Sequence, residues 1–139
     1  MNLTVDSSVF VAALRRDEEK SEASFKLLER IQNGEHIAIE PYSVLVEIVS
    51  AIRRRTGSEA LATRVKEDFL RINNVNFVAL DKNAAEAASD IAIALNVRGM
   101  DAFLVQVAKR FNAGLVTLDC ELANDAKEVI EVKSLEDLI

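Results

Sequence analysis

The chain has 139 residues, half of them apolar, with four glycines, one proline and a formal net charge of −6. A chain of this length should bury about two thirds of the surface that its unfolded form exposes, and its composition excludes a disordered or fibrous protein. We therefore expect a single compact domain that spans residues 1–139.

Hydrophobic periodicity and turn signals predict strands that alternate with helices along the whole chain. In chain order the predicted elements are a strand at 2–6, helices at 8–14 and 21–33, a strand at 36–39, helices at 42–56 and 58–72, a strand at 74–80, a helix at 81–95, a helix from 101 to the turn at 112–114, a strand at 115–118, a helical turn at 121–127 and a strand at 129–132.

Two residue types that often carry chemistry occur only once each. The single cysteine, Cys120, can form neither an internal disulfide nor a thiolate zinc site, and a free thiol suits a reducing compartment. His36 is also alone, so a Cys-His or Ser-His nucleophile lacks a base.

The longest apolar runs are far shorter than the roughly 18 residues of a membrane span. We expect a cytoplasmic protein without membrane association, whose chemistry would depend on carboxylates, hydroxyls or amines.

The alternation of strands and helices favours an α/β fold, a three-layer α/β/α sandwich around a central parallel sheet of about five short strands. Right-handed crossovers make strand ends and helix starts meet at the carboxyl edge of the sheet, where such folds bind ligands. Asp6 ends the first strand, Asp101 begins a helix, and Asp119 follows the next strand. Glu47 lies about 7 Å below the start of its own helix, within side-chain reach of the same edge.

Each of these acids also has an ordinary structural interpretation. Asp6 could cap a helix, and Asp119 could form a turn. The helix dipole favours an acid at Asp101, and Glu47 could border a solvated stripe. As a group they are harder to explain, because two carboxylates about 4 Å apart repel by about 4 kcal/mol at an effective dielectric of about 20. A divalent cation resolves this repulsion, and all-oxygen ligands select Mg²⁺ or Mn²⁺.

Four segments resemble the PIN domain, in the order in which that family has them: "TVDSSVFVAAL", "SVLVEIVSAIRR", "RGMDAFLVQVAKR" and "LVTLDCELA". Together they span almost the whole chain, and "RGMDA" followed by "TLD" is the most specific part. The short, single-domain length also resembles the ribonuclease toxins of VapBC-type toxin-antitoxin modules.

The resemblance implies a Mg²⁺- or Mn²⁺-dependent ribonuclease, an endonuclease rather than an exonuclease, in which a metal activates water without help from histidine. The residues that match the family's acidic positions are Asp6, Glu47, Asp101 and Asp119. Ser8 and Thr117 match the positions that support the metal cluster. Such enzymes usually leave a 5′-phosphate and a 3′-hydroxyl. The resemblance also implies an antitoxin partner and a homodimer.

The acidic net charge argues at first sight against an RNA substrate, but cations bound at the acids would invert the local potential. Three arginines lie close in sequence to the carboxyl edge and are the candidate phosphate ligands, namely Arg15, Arg16 and Arg98. Lys109 and Arg110 should lie at the far end of their helix. Some members of the family carry an additional acid just after the fourth, and only Glu121 and Asp125 are near that position.

Two alternatives stay open on the sequence alone. A metal-dependent phosphatase of another acid-rich α/β fold would normally need a second aspartate two residues after the first, and position 8 is a serine. A non-catalytic PIN-like module would act only through protein contacts. The four acids count against this module, because an inactive scaffold has no need to hold repelling carboxylates together.

Overall fold

The computed structural model describes residues 1–139 and contains one parallel sheet with helices between its strands. The strands are β1 (Asn2–Val5), β2 (Ile37–Pro41), β3 (Val75–Val78) and β4 (Gly114–Val116). The helices are α1 (Ser7–Leu14), α2 (Ser21–Gln32), α3 (Tyr42–Thr56), α4 (Glu59–Arg71), α5 (Lys82–Leu95), α6 (Gly99–Arg110) and α7 (Cys120–Ala126), followed by a 3-10 turn at Glu136–Leu138. The predicted α/β fold class is confirmed.

The strand order is β3-β2-β1-β4, and all neighbouring strands are parallel. The connections after β1 and β2 move in one direction across the sheet, whereas the connection after β3 passes to the other side of β1. Right-handed crossovers therefore place α1 to α4 on one face and α5 and α6 on the other. On that second face, α6 packs across β1, β2 and β4, and α5 packs on α6.

The core occupies both faces of the sheet and fixes the helices that begin at its carboxyl edge. Leu3 and Val5 of β1 are fully buried, as is Leu115 of β4. On the face covered by α1 to α4, the ring of Phe10 packs edge-on against Phe69, with 5.2 Å between ring centroids. This contact holds helix α1 against helix α4. It thereby anchors α1, the helix that directly follows Asp6.

Local signals in the sequence set several helix boundaries. Gly57 ends α3 with a left-handed φ of 70°, a conformation that favours glycine. The Ser58 hydroxyl then accepts the N–H of Leu61 at 3.0 Å and begins α4. In the same way the Asp81 carboxylate accepts the N–H of Ala84 at 2.8 Å and begins α5. These caps satisfy N–H groups that have no partner within the helix.

The sheet has four strands, one fewer than the sequence predicts. The segment at 129–132 forms only a single bridge, between Val132 and Leu115. Leu115 donates to the Glu131 carbonyl at 2.9 Å and accepts from the Lys133 N–H at 2.8 Å. Because alternate residues of a parallel strand bond to opposite sides, the three-residue β4 offers only Leu115 to this segment. No other residue of β4 is therefore available to extend this single bridge into a fifth strand.

None of the helices is by itself long and apolar enough to span a membrane. Helices α5 and α6 satisfy that criterion only when taken together, across a bend of 110°.

Candidate metal site

Asp6 lies at the carboxyl end of β1, directly beside the end of β4. Its N–H donates to the Val116 carbonyl at 2.8 Å. Its carboxylate accepts hydrogen bonds from Ser8 Oγ at 2.9 Å and from Thr117 Oγ1 at 2.7 Å. Although Asp6 precedes α1, its side chain accepts no backbone N–H of the helix, and the residue is only 8% exposed. Capping therefore does not account for this carboxylate, which Ser7 Oγ contacts at 3.4 Å and which the hydroxyl groups of Ser8 and Thr117 hold in place.

The same two hydroxyl groups connect the end of β1 to the turn that follows β4. Thr117 Oγ1 also accepts the N–H of Asp119 at 3.0 Å, and Ser8 Oγ accepts the N–H of Leu118 at 3.3 Å. Each hydroxyl thus donates to the Asp6 carboxylate and accepts from the turn that carries Asp119. This network fixes the two turns relative to each other.

Asp119 is the capping residue of α7. Its Oδ1 accepts the N–H groups of Glu121 at 3.0 Å and of Leu122 at 3.1 Å. The ordinary structural interpretation therefore applies to this acid. A role as a metal ligand is compatible with capping, because both capping bonds use Oδ1 and the side chain is exposed.

Glu47 and Asp101 lie half-buried near the starts of α3 and α6. Burial is the main cause that raises the pKa of Glu47 to about 7, and the negative charges of Asp6 and Asp101 raise it further. Burial also raises the pKa of Asp101 above its usual value, together with the charges of Asp6 and Asp119. The nearby Arg98 partly offsets this effect. The four carboxyl groups therefore form one electrostatically coupled cluster, which we call the acidic cluster.

The acidic cluster lies where the order of the strands reverses. Chain connections from β1 lead to one side of the sheet, and β4 lies on the other side. In open α/β sheets this reversal creates a crevice at the carboxyl ends of the strands, and ligands bind there. Asp6 and Asp119 lie on the two sides of that crevice, with Glu47 and Asp101 on the helices that begin beside it.

The chemistry of the acidic cluster fits a hard divalent cation. Its side chains offer only oxygen ligands. Burial and, after it, repulsion among the carboxylates raise the pKa values of Glu47 and Asp101, and a bound cation would offset both effects. As the side chains stand, no three acidic, histidine or cysteine groups are close enough together to hold an ion. Mg²⁺ usually takes one or two carboxylates and keeps several waters, so a three-carboxylate arrangement is not a requirement. The residues that would hold the cation are Asp6, Glu47, Asp101 and Asp119.

Of the three arginines predicted to contact phosphate, Arg98 alone lies at this edge. It directly precedes α6, is exposed, and acts electrostatically on Asp101. Arg15 follows the far end of α1, about 12 Å from the start of that helix at 1.5 Å per residue, and Arg16 comes after it. Arg15 also donates to Asp17 at 3.2 Å. The structure therefore favours Arg98 over the other two.

The two acids after Asp119 are less closely connected to the cluster. Glu121 is exposed, and its contact with Asp119 is through its backbone N–H. Neither Glu121 nor Asp125 is among the charges that shift the pKa of Glu47 or Asp101. The structure thus gives no support to an additional ligand at either position.

Glu40 is an acid beside the cluster that the sequence reasoning missed. It lies in β2, is 0% exposed, and its Oε2 accepts the N–H of Val5 at 2.7 Å. Burial raises the pKa of Glu40 well above its usual range, the hydrogen bond from Val5 lowers it, and the charge of Asp6 raises it again. The alternation in "IAIE" was the available signal, because Glu40 is in phase with the buried Ala38.

The chain is thus an α/β protein with a parallel sheet and with acids clustered where its strand order reverses. The sequence model of the PIN domain matches residues 3–128, and the chain belongs to the PIN-domain family. Among curated proteins, no significant sequence match exists.

Solved structures share this fold at low sequence identity. VapC20 from Mycobacterium tuberculosis, a toxin that cleaves the sarcin-ricin loop, has a TM-score of 0.74 at 17% identity, over 94% of this chain and 98% of that one. VapBC2 from Rickettsia felis, bound to a promoter DNA fragment, has a TM-score of 0.69 at 14% identity, over 96% and 98% of the two chains. FitAcB from Neisseria gonorrhoeae has a TM-score of 0.70 at 17% identity, over 96% and 97%. Similarity at this level describes the fold alone.

Proposed function

We propose that this chain is a Mg²⁺- or Mn²⁺-dependent endoribonuclease and the toxin of a toxin-antitoxin pair. Membership of the PIN-domain family supports a nuclease, and the RNA-cleaving toxin VapC20 among the structural neighbours supports RNA as the substrate. The observation that carries the proposed metal site is the buried Asp6 carboxylate at the crevice, which Ser8 and Thr117 hold by hydrogen bonds. The charge of Asp6 contributes to the raised pKa values of Glu47 and Asp101, which burial raises most.

The proposal gives each side chain a physical task. The cation is held by the acidic cluster, Asp6, Glu47, Asp101 and Asp119. A bound cation would supply an activated water and offset negative charge on the scissile phosphate. Ser8 and Thr117 hold the Asp6 carboxylate in one orientation, so that this ligand needs little reordering when a cation binds. Arg98, which precedes α6 at the same edge, would contact the RNA backbone beside the crevice.

The direct test is cleavage of single-stranded RNA, with the cut ends mapped by sequencing, in Mn²⁺ and in EDTA. Asp101→Asn should abolish cleavage and weaken Mn²⁺ binding measured by titration calorimetry. Asp90→Asn is a matched control, because Asp90 is an exposed acid that lines a separate groove with Lys109 and Arg110. The proposal fails if no RNA is cleaved under any tested condition while Asp101→Asn changes neither Mn²⁺ affinity nor thermal stability.

We also propose an antitoxin partner and a homodimer. VapBC2 and FitAcB among the structural neighbours support the first of these. The exposed apolar side chains of Leu14 and Phe25, which are 39% and 48% exposed and line one surface groove, are available for a protein contact. Light scattering during gel filtration, with and without the product of the neighbouring gene, tests both assemblies. A monomer that stays monomeric with that product present would contradict them.

A further inference from the structure

The two middle strands of the sheet separate before they reach the carboxyl edge. β1 and β2 pair with each other only as far as Leu3 and Ala38. Beyond that point β1 stays paired with β4 up to Val5, and β2 stays paired with β3 up to Pro41. The sheet therefore has a split between β1 and β2, immediately before the acidic cluster.

Two side chains replace the missing ladder bonds at this split. In a regular parallel ladder the Val5 N–H would donate to the Ile39 carbonyl. Instead, Val5 N–H donates to Glu40 Oε2 at 2.7 Å, and the Ile39 carbonyl accepts from Thr4 Oγ1 at 2.9 Å. The Glu40 side chain thus inserts between the strands and supplies an acceptor that the separated backbone does not.

Glu40 is fully buried, and only one of its two carboxyl oxygens is hydrogen-bonded. The other oxygen, Oε1, is buried without a hydrogen-bond partner. An acid in this environment is unfavourable compared with an apolar side chain of similar volume, so filling space does not explain its presence. The bond to Val5 offsets part of that cost, because it satisfies a buried backbone donor.

Val5 directly precedes Asp6, so the contact affects the acidic cluster through one peptide unit. On the side of β4, the backbone is held by the Asp6 N–H bond to the Val116 carbonyl at 2.8 Å. On the side of β2, it is held by the Glu40 carboxyl. The two successive peptide units that lead into Asp6 are therefore held from opposite sides, the Thr4–Val5 peptide by Glu40 and the Val5–Asp6 peptide by Val116.

We propose that Glu40 is a positioning residue for the acidic cluster, which accepts the Val5 N–H, keeps the end of β1 apart from β2 and fixes the direction of Asp6. The consequence for cation binding rests on the proposed function, whereas the effect on the backbone does not.

Three substitutions separate the acceptor from the other properties of Glu40. Glu40→Gln keeps the length and an acceptor oxygen, Glu40→Asp keeps the acid but shortens the reach by one methylene, and Glu40→Leu fills the space without an acceptor. Ile31→Val is a control for a general loss of stability, because Ile31 is fully buried in α2 and takes no part in the hydrogen bonds at the split.

The first measurement is hydrogen exchange of the Val5 amide relative to Leu3, together with the Asp6 amide resonance, in the metal-free protein. Glu40→Leu and Glu40→Asp should speed Val5 exchange by about tenfold or more and shift the Asp6 resonance, because they leave the donor without its partner. Glu40→Gln and Ile31→Val should retain the wild-type pattern. Unchanged Val5 exchange in Glu40→Leu would overturn the proposal.

The second measurement is Mn²⁺ affinity by titration calorimetry with MnCl₂. Glu40→Leu should bind Mn²⁺ about tenfold to hundredfold more weakly, the range expected when an outer support of a ligand is lost, and Glu40→Gln should stay within about threefold of wild type. Wild-type affinity in Glu40→Leu, despite a freed Val5 amide, would overturn the positioning role. If the wild type binds no Mn²⁺, the proposed function fails. The Asp6 amide resonance then decides by itself whether Glu40 positions Asp6. If Glu40→Leu does not fold, the comparison of Glu40→Asp with Glu40→Gln decides both measurements.

Discussion

Neutralising Glu47 should remove a pH dependence from the stability of the metal-free protein. Folding raises the pKa of this carboxyl from 4.5 to about 7, because the group is half-buried and faces the charges of Asp6 and Asp101. Between these two pH values the folded protein retains a proton that the unfolded chain has released. The stability contributed by the protonated group is therefore fully present below about pH 4.5 and is lost as the pH rises through about 7.

The size of the effect follows from the same shift. The difference between 4.5 and about 7 corresponds to about 3 kcal/mol, at roughly 1.36 kcal/mol per pKa unit. Because the carboxyl is only half-buried, solvent screens its interactions, and we expect about 1 to 2 kcal/mol. For a domain of this size, that free energy corresponds to roughly 3 to 8 °C in Tm.

The assay is urea denaturation in EDTA at several pH values between 4.5 and 7.5, for wild type and Glu47→Gln. Relative to wild type, Glu47→Gln should gain about 1 to 2 kcal/mol across this range, since the variant has no group to deprotonate there. Glu67→Gln is the matched control, because Glu67 is an exposed glutamate of α4, and it should follow wild type. A difference between wild type and Glu47→Gln that is independent of pH, or that changes in the opposite direction, would refute the reasoning.

Three further substitutions test other parts of the molecule. Thr117→Val removes the 2.7 Å hydrogen bond to Asp6 and should weaken Mn²⁺ binding by about tenfold in calorimetry, so unchanged affinity would contradict a supporting role. Arg98→Ala should weaken RNA binding and reduce its salt dependence by about one phosphate contact in fluorescence anisotropy, whereas Arg16→Ala should leave the salt slope as it is. Ser58→Ala removes the cap of α4 and should lower the free energy of unfolding by about 1 kcal/mol. Mn²⁺ affinity should stay constant. A loss of Mn²⁺ affinity would mean that this remote cap affects the acidic cluster.

The sequence was sufficient to predict the edge of the sheet at which each acid lies, because this edge depends only on the direction of the chain. Asp6 and Asp119 follow strands, and Asp101 begins a helix, so right-handed crossovers are enough to bring them to one edge. Which strands are neighbours depends on packing across the whole sheet. The pairing of β1 with β4, which puts Thr117 within 2.7 Å of the Asp6 carboxylate, could not be derived from periodicity.

Proximity in sequence was misleading where a short helix intervenes. Arg15 is nine positions from Asp6, but α1 carries it about 12 Å away at 1.5 Å per residue. The missing fifth strand has a different cause. The apolar pattern at 129–132 is typical of a strand, yet a ladder also requires a neighbour of sufficient length, and β4 has only three residues. For Arg15 the helix predicted at 8–14 already contained the needed length, and closeness in sequence was given too much weight. For the segment at 129–132, the length of the neighbouring strand is not part of the local pattern.

Glu40 shows a different limit of sequence reasoning. Alternation in β2 indicates that this acid points inward, but in a regular ladder a buried carboxyl would only be destabilising. The split between β1 and β2 changes its role, because Val5 there lacks a backbone acceptor. The carboxyl edge thus carries two kinds of acid, which amide substitutions should distinguish. On the two proposals, the hydrogen-bond acceptor matters at Glu40, so Gln should preserve the site. The charge matters at Asp101, so Asn should weaken cation binding and abolish RNA cleavage.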